Sequence, residues 1–242
     1  MEKTCALVCA AAFASEDFLA RRSRGEFDAV VAVDSGFARL EEVGVAPDVA
    51  LGDFDSLGYV PDGALVHPAI KDKSDLELAL AYAAGEGCAD IVVYGCLGGR
   101  LDHTLAALQN LAAAAEAGAR VRAVDVAWGD EGCANSRRPR PTVLEVLSGP
   151  ATLALEAKAG AEPEEVAELG APTFGSVSVF AASDAARGVV ERGMYYPLDA
   201  DRLTNRTSLG LSNELVERAG SVSVESGTLF VLYPADLAAV RA

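Results

Sequence analysis

Up to about residue 127 the chain repeats one pattern: an apolar, β-rich run, then a loop holding Gly or Asp, then a stretch with helical spacing. The runs "CALVCA", "AVVAVD", "DVALGD", "ADIVVYG" and "RVRAVDV" predict strands. Helices are predicted over roughly 15–24, 35–43, 74–84 and 101–117, the last stopping at Gly118. Such alternation implies a parallel sheet with helices on its faces. Beyond residue 141 the texture changes to short alternating runs, "TVLEVLS", "ATLALEA", "GSVSVFA", "GVVERG", "SVSVES" and "TLFVLY", with "ESGT" as a hairpin turn between the last two. Residues 157–172, rich in Glu, Ala and Pro, read as an exposed loop or short helix. Between the two textures, "GDEGCANSRRPRP" at 129–141 reads as a linker. The expected fold is therefore α/β: an N-terminal, mostly parallel sheet with helices on both faces (1–140), followed by a C-terminal all-β sandwich domain (141–242).

Composition narrows the function. A chain of 242 residues, 51% hydrophobic, has ample core for two modest domains. Its 36 acidic and 20 basic side chains give a net charge of -16, which repels nucleic acid and anionic membranes, while small phosphorylated ligands stay open because backbone N–H groups and Mg²⁺ can act locally. Cys5, Cys9, Cys88, Cys96 and Cys133 form no CxxC pair, so reduced cytoplasmic thiols are expected rather than a disulfide framework or a zinc site. The apolar run after Lys3 has the length of a signal-peptide core, yet it carries one lysine beside Glu2 and reads as a buried first strand.

Ligands of open parallel sheets bind outside the carboxyl ends of the strands. The loops there are acidic: Asp34 follows "AVVAV", Asp53 and Asp55 follow "DVAL", Asp72 and Asp75 lie in "KDKSD", and Asp102 follows "VVYGCLGGR". Carboxylates crowded on one rim destabilise it unless a cation is bound, and Mg²⁺, a hard ion seeking oxygen ligands, suits a few such acids plus substrate phosphates. Each motif also has a plain structural reading. "DSG" serves as a turn or helix cap, "GDFDSL" as an Asx-rich turn, and "SDLE" as a capping box in which Ser74 caps and Glu77 reaches back. "GCLGGRLDH" is a Gly-rich turn before a helix, offering free N–H groups to an anion, with Arg100 to add bidentate phosphate contacts. It is neither a Walker A loop nor a GxGxxG fingerprint. In the second half, "SLGLSNELV" reads as turn chemistry and "GMYYPL" as strand packing.

Taken in order, "VAVDSG", "PDVALGDFDSL", "KDKSDLELAL", "GCLGGRLDHTLAALQNL", "GMYYPL", "GLSNELV" and "VESGTLFVLYP" resemble the thiamine pyrophosphokinase (thiamine diphosphokinase) family across most of residues 29–234. The resemblance implies a homodimeric enzyme that uses ATP and Mg²⁺ to convert thiamine into thiamine diphosphate and AMP. It makes Asp53, Asp55 and Asp75 the metal ligands and, with Asp102, the catalytic acids. It assigns Asp34, Ser35, Lys73, Gly98, Gly99, Arg100 and His103 to ATP. It assigns Asp34, Tyr195, Ser212 and Asn213 to thiamine, the pocket being reached across the dimer from the partner's sandwich. Two departures stand out: "VCAAAFAS" replaces a glycine-rich turn, and Ser74 stands where threonine is usual. The competing readings are a non-catalytic nucleotide- or thiamine-binding regulator and another Mg²⁺-dependent small-alcohol phosphotransferase.

Overall fold

The computed structural model describes residues 2–70, 72–126, 141–166 and 169–241. The chain forms two compact units, Met1–Trp128 and Gly129–Ala242. The linker expected at 129–141 lies outside the described residues up to 140.

In the first unit, β1 (Lys3–Val8), α1 (Ser15–Ser23), β2 (Ala29–Val33), α2 (Gly36–Glu42), β3 (Val49–Gly52), α3 (Asp75–Gly85), β5 (Cys88–Tyr94), α4 (Leu101–Glu116) and β6 (Arg120–Asp125) occur where the periodicity places them. The two-residue strand β4 (Leu65–Val66) carries no periodic signal and was not expected. These strands run in the order β6-β5-β1-β2-β3-β4, and every pairing among them is parallel. The chain moves outward from β1 to β4, then returns to the other side of β1 for β5 and β6. With right-handed crossovers, α1 and α2 cover one face and α3 and α4 the other. The order therefore reverses between β1 and β5, where such sheets bind ligands. The sheet core is Val, Leu, Ile and Ala, with Ala6, Leu7, Val8, Ile91, Val92 and Val93 fully buried.

Local chemistry fixes the helix starts. Ser74 has extended backbone and accepts the N–H of Glu77 at 3.2 Å, the expected cap. The Glu77 carboxylate is instead drawn to Lys73 Nζ at 3.2 Å. Asn110 of α4 donates to Ser74 Oγ at 2.9 Å, tying α4 to the start of α3. At the N-terminus of α2, a Cβ on Gly36 would overlap the carbonyl oxygen of Val8, so only glycine lets this helix begin against the end of β1.

One expectation about the cysteines is corrected. Cys5 and Cys88 are joined in a disulfide, with Cα atoms 5.9 Å apart and a sequence separation of 83. Neighbouring strands β1 and β5 bring them together, and no spacing motif announces a pair so distant in the chain. Cys9 and Cys96 are free and buried. No described helix is long and apolar enough to cross a membrane.

The second unit is an antiparallel sandwich. One sheet runs β14 (Gly210–Glu214), β11 (Ser176–Ala181), β16 (Thr228–Pro234), β7 (Thr142–Ser148); the other runs β13 (Leu198–Leu203), β12 (Ala186–Arg192), β15 (Ala219–Val224), β8 (Ala151–Ala157), β17 (Leu237–Arg241). Inward residues alternate along several strands, as in β11, where Val177, Val179 and Ala181 are buried. Four differences from the sequence expectation appear. "ESGT" is not a hairpin turn: β15 pairs with β12 and β8, β16 with β11 and β7, so the segment crosses from one sheet to the other. Residues 157–172 contain a small ladder of β9 (Glu164–Val166) and β10 (Ala171–Thr173) rather than a helix. "GLSNE" is strand β14 rather than a turn, and "GMYYP" is the loop between β12 and β13 rather than packed strand.

Gly36→Ala is expected to lower stability by about 1–3 kcal/mol, the usual cost of overpacking. Urea denaturation followed by circular dichroism reads the change, and an unshifted midpoint would show that α2 is not seated against β1 as described.

Candidate functional site

The loops after the parallel strands enclose a cleft of about 600 Å³ in the first unit. Cys9 to Ala11 follow β1, Asp34 and Ser35 follow β2, Asp53 and Ser56 follow β3, and Gly98, Gly99, Arg100 and His103 follow β5, with Lys73 to Leu76 at the start of α3. Every residue that the resemblance assigned to ATP therefore lines one cavity.

Asp34 and Asp53, which line this cleft, and the exposed Asp55 offer carboxylate oxygens that all lie within 4.8 Å of one another. Backbone shape produces this convergence. Asp34 and Phe54 occupy the left-handed region, at φ 49° and 58°. Such a conformation costs roughly 1–2 kcal/mol for a residue with a Cβ. Phe54 is 2% exposed, and burying a ring of that size returns about 1.5–3 kcal/mol, enough to hold the turn. The buried ring thus anchors a loop whose two flanking acids, Asp53 and Asp55, bring carboxylate oxygens close to that of Asp34. The Asx turn expected here forms as well: Asp55 N–H donates to Asp53 Oδ1 at 3.3 Å. Gly52, at φ 153°, permits the close approach of the neighbouring loop, since a Cβ there would stand 2.9 Å from Asp34 Cα.

Asp34 Oδ2 accepts from Ser35 Oγ at 3.0 Å, while its Oδ1 is buried with no hydrogen-bond partner. Three hard oxygen donors and one unsatisfied carboxylate oxygen fit a divalent cation such as Mg²⁺. The group differs from the one expected from the resemblance. Asp34, assigned to the substrates, joins Asp53 and Asp55, whereas Asp75 lines the cleft outside this group. Burial, together with the charges of Asp75 and Asp34, pushes the Cys9 thiol up to about 12 and keeps it a neutral part of the wall.

Two sequence assignments sit differently from expectation. Asp102, in the first turn of α4, is held by Arg100 through bonds of 2.6 and 3.1 Å, and is apart from the acidic cluster. The guanidinium holds the Asp102 carboxyl below its usual range, helped by the His103 N–H. Gly98 does not present a free N–H, because that group donates to Thr104 Oγ1 at 3.0 Å.

In the second unit, Tyr195 and Tyr196 are exposed and stack edge to face, their centroids 4.7 Å apart. Ser212 has left-handed backbone at φ 55°, and its N–H donates to Ser178 Oγ at 3.0 Å. Asn213 is 4% exposed and entirely engaged: Nδ2 donates to Tyr196 O and Glu191 Oε2, both at 2.7 Å, and Oδ1 accepts from Tyr196 N–H at 3.0 Å and Glu214 N–H at 2.9 Å. Its side chain clamps the tyrosine loop. Glu191, fully buried behind it, was missed by the sequence reading. The signal was present in "GVVERG", where Glu191 falls on the same inward face as Val189.

Residues 22–123 match the family model described as "Thiamin pyrophosphokinase, catalytic domain". A thiamine pyrophosphokinase of Bacillus subtilis is 25% identical over 214 residues, covering 85% of this chain and 87% of that protein. The crystal structure of thiamine pyrophosphokinase from Bacillus subtilis matches with a TM-score of 0.67 at 23% identity, over 96% of this chain and 99% of that one. The enzyme from Geobacillus thermodenitrificans matches with a TM-score of 0.66 at 26% identity, over 96% and 97%. The matched catalytic domain lies within the unit that carries the acidic cleft, and the likeness of fold to these solved thiamine pyrophosphokinases extends over 96% of this chain.

Proposed function

We propose that this protein is a thiamine diphosphokinase, transferring a diphosphoryl group from ATP to the hydroxyl of thiamine. The observation that carries the reading is the convergence of Asp34, Asp53 and Asp55 on one another, with Asp34 and Asp53 sharing a cleft with Gly99, Arg100 and His103 inside the matched catalytic domain. In the reaction the hydroxyl oxygen bonds to the β-phosphorus, the bond from that phosphorus to the α-phosphate oxygen breaks, and AMP leaves. The protein's task is positioning and charge stabilisation rather than covalent chemistry. Asp34, Asp53 and Asp55 would hold Mg²⁺, which supplies charge neutralisation to the phosphate oxygens. Asp75 faces the same space from the first turn of α3. Arg100 is 71% exposed in its pair with Asp102, so that pair contributes little and the guanidinium can turn to phosphate. Lys73 and His103 line the route of the polyphosphate.

Thiamine is assigned to Tyr195, Ser212 and Asn213, whose exposed aromatic edge suits a thiazolium cation. Given the saturation of its amide, Asn213 serves that wall by holding Tyr196 rather than by direct donation. A homodimer, in which the partner's sandwich serves the cleft, belongs to the same proposal and is checked by light scattering, which should give twice the chain mass. Cytoplasmic location is likewise proposed, although a bond such as Cys5–Cys88 is more common in oxidising compartments.

Incubation with ATP, Mg²⁺ and thiamine should yield AMP and thiamine diphosphate in equal amounts; thiamine binding without AMP release would mark a regulator instead. Asp55→Asn should lower turnover about a hundredfold or more, the scale of losing one preorganised charge-stabilising group, with little change in melting temperature because Asp55 is exposed. Wild-type activity in that variant at saturating Mg²⁺ would remove the metal role. Asn213→Ala should raise the KM for thiamine more than that for ATP, and the reverse order would refute the pocket assignment.

A further inference from the structure

Glu191 is a fully buried acid that the reaction as proposed leaves unused. It lies on β12, 0% exposed, in the sheet opposite the one that holds Asn213 on β14. Its Oε2 accepts from Asn213 Nδ2 at 2.7 Å, while Oε1 is buried with no hydrogen-bond partner. Burial pushes its carboxyl upward, partly opposed by the Asn213 bond. A half-satisfied acid inside a sandwich is a net cost to the fold, and a buried polar group left so calls for a reason.

The reason lies one bond away. The loop between β12 and β13 runs antiparallel to the end of β14: Met194 bridges Leu215, and Tyr195 N–H donates to Glu214 O at 2.8 Å. The Asn213 side chain continues this ladder by one residue, taking both the N–H and the C=O of Tyr196. An amide has two donor hydrogens and two acceptor sites, and all four are engaged here only because Glu191 accepts the remaining hydrogen. The rings so placed are solvent-facing, Tyr195 at 37% and Tyr196 at 58% exposure. Tyr195 is further held through its hydroxyl, which donates to Leu169 O at 3.2 Å.

We propose that Glu191 is a positioning residue for the thiamine-facing wall: through Asn213 it fixes the Tyr195–Tyr196 loop in its binding shape. This inference rests on the assignment of Tyr195, Ser212 and Asn213 to thiamine. Removing the acceptor leaves a buried Asn213 hydrogen unpaired and frees the amide to rotate away from Tyr196, so the wall loosens while the ATP cleft in the other unit keeps its residues.

The test is steady-state AMP release by the full-length enzyme, with thiamine and ATP varied in turn, for Glu191→Leu, Glu191→Gln and Asn213→Ala. Glu191→Leu should raise the thiamine KM about tenfold or more, the scale of one hydrogen bond to a charged group, with the ATP KM unchanged. Glu191→Gln restores an acceptor and should recover most of the lost affinity. Equal rises in both KM values, or a Gln variant as impaired as the Leu variant, would overturn the positioning role. If Glu191→Leu behaves as wild type while Asn213→Ala raises the thiamine KM, this inference alone fails; if Asn213→Ala also leaves it unmoved, the pocket assignment fails with it. Where Glu191→Leu does not fold, Glu191→Asp, which withdraws the carboxylate by one methylene, is read in the same way.

Discussion

Mutual repulsion among Asp34, Asp53 and Asp55 is the constraint around which the first unit is arranged, their nearest carboxylate oxygens lying within 4.8 Å. Two unit charges at about that separation oppose each other by roughly 1 kcal/mol in water and several times more in a cleft of lower dielectric. Sequence neighbours could relax such a conflict by turning outward. Here the left-handed backbone at Asp34 and Phe54, with the Phe54 ring buried, holds the two loops so that the acids' oxygens meet. The repulsion is therefore built in, and a bound cation is the simplest way to relieve it.

Everything that brings the three acids together is a property of strand ends. Parallel β2 and β3 finish side by side, with Asp34 N–H donating to Leu51 O at 2.8 Å, so their following loops must share one rim. The reversal of strand order between β1 and β5 opens the space beside them, and the segments after both strands wall it. Gly36 and Gly52 act at these junctions by removing side chains where two backbones meet. The same topology accounts for the inert cysteine: Cys9, next after β1, is sealed in the wall with its thiol protonated.

Much of this was readable from residues alone, and the failures have physical causes. Apolar runs, the Ser74 cap and the acids after each strand are local signals, and the helices and parallel strands fall where they indicate. Long-range pairing leaves no such trace. Nothing in "ESGT" reveals that β15 and β16 join different sheets, nor does any spacing place Cys5 beside Cys88. β13 and β14 escaped because "LDADRL" and "GLSNE" are polar and largely exposed, so the alternation that marks a half-buried strand is weak there. Among the acids, sequence order could not tell that Asp34 turns into the group while Asp75 stays at its margin, since that choice depends on φ at Asp34 and on the cap of α3. Glu191 shares the inward face of β12 with Val189, a local signal in "GVVERG", while its partner Asn213 comes from the opposing sheet and leaves no such trace.

The net charge of -16 bears on the proposed substrates in opposite senses. A cationic thiazolium is drawn toward an acidic surface, whereas a free nucleotide triphosphate is repelled by it. The cleft reverses that bias only locally, since Arg100 is shared with Asp102 and the Gly98 N–H is taken by Thr104. Arg100 and Lys73 can leave their exposed pairs for phosphate, yet these two cations face a rim that carries several carboxylates, so protein groups alone offer the polyphosphate little net positive charge. On the proposed function, ATP binding at this rim is favoured when the nucleotide arrives with its own counterion, so that the charge attracted by Asp34, Asp53 and Asp55 would be the metal of the metal–nucleotide complex rather than the nucleotide itself. On this argument the acids select for the complexed substrate, and the repulsion built into the fold becomes the means of that selection.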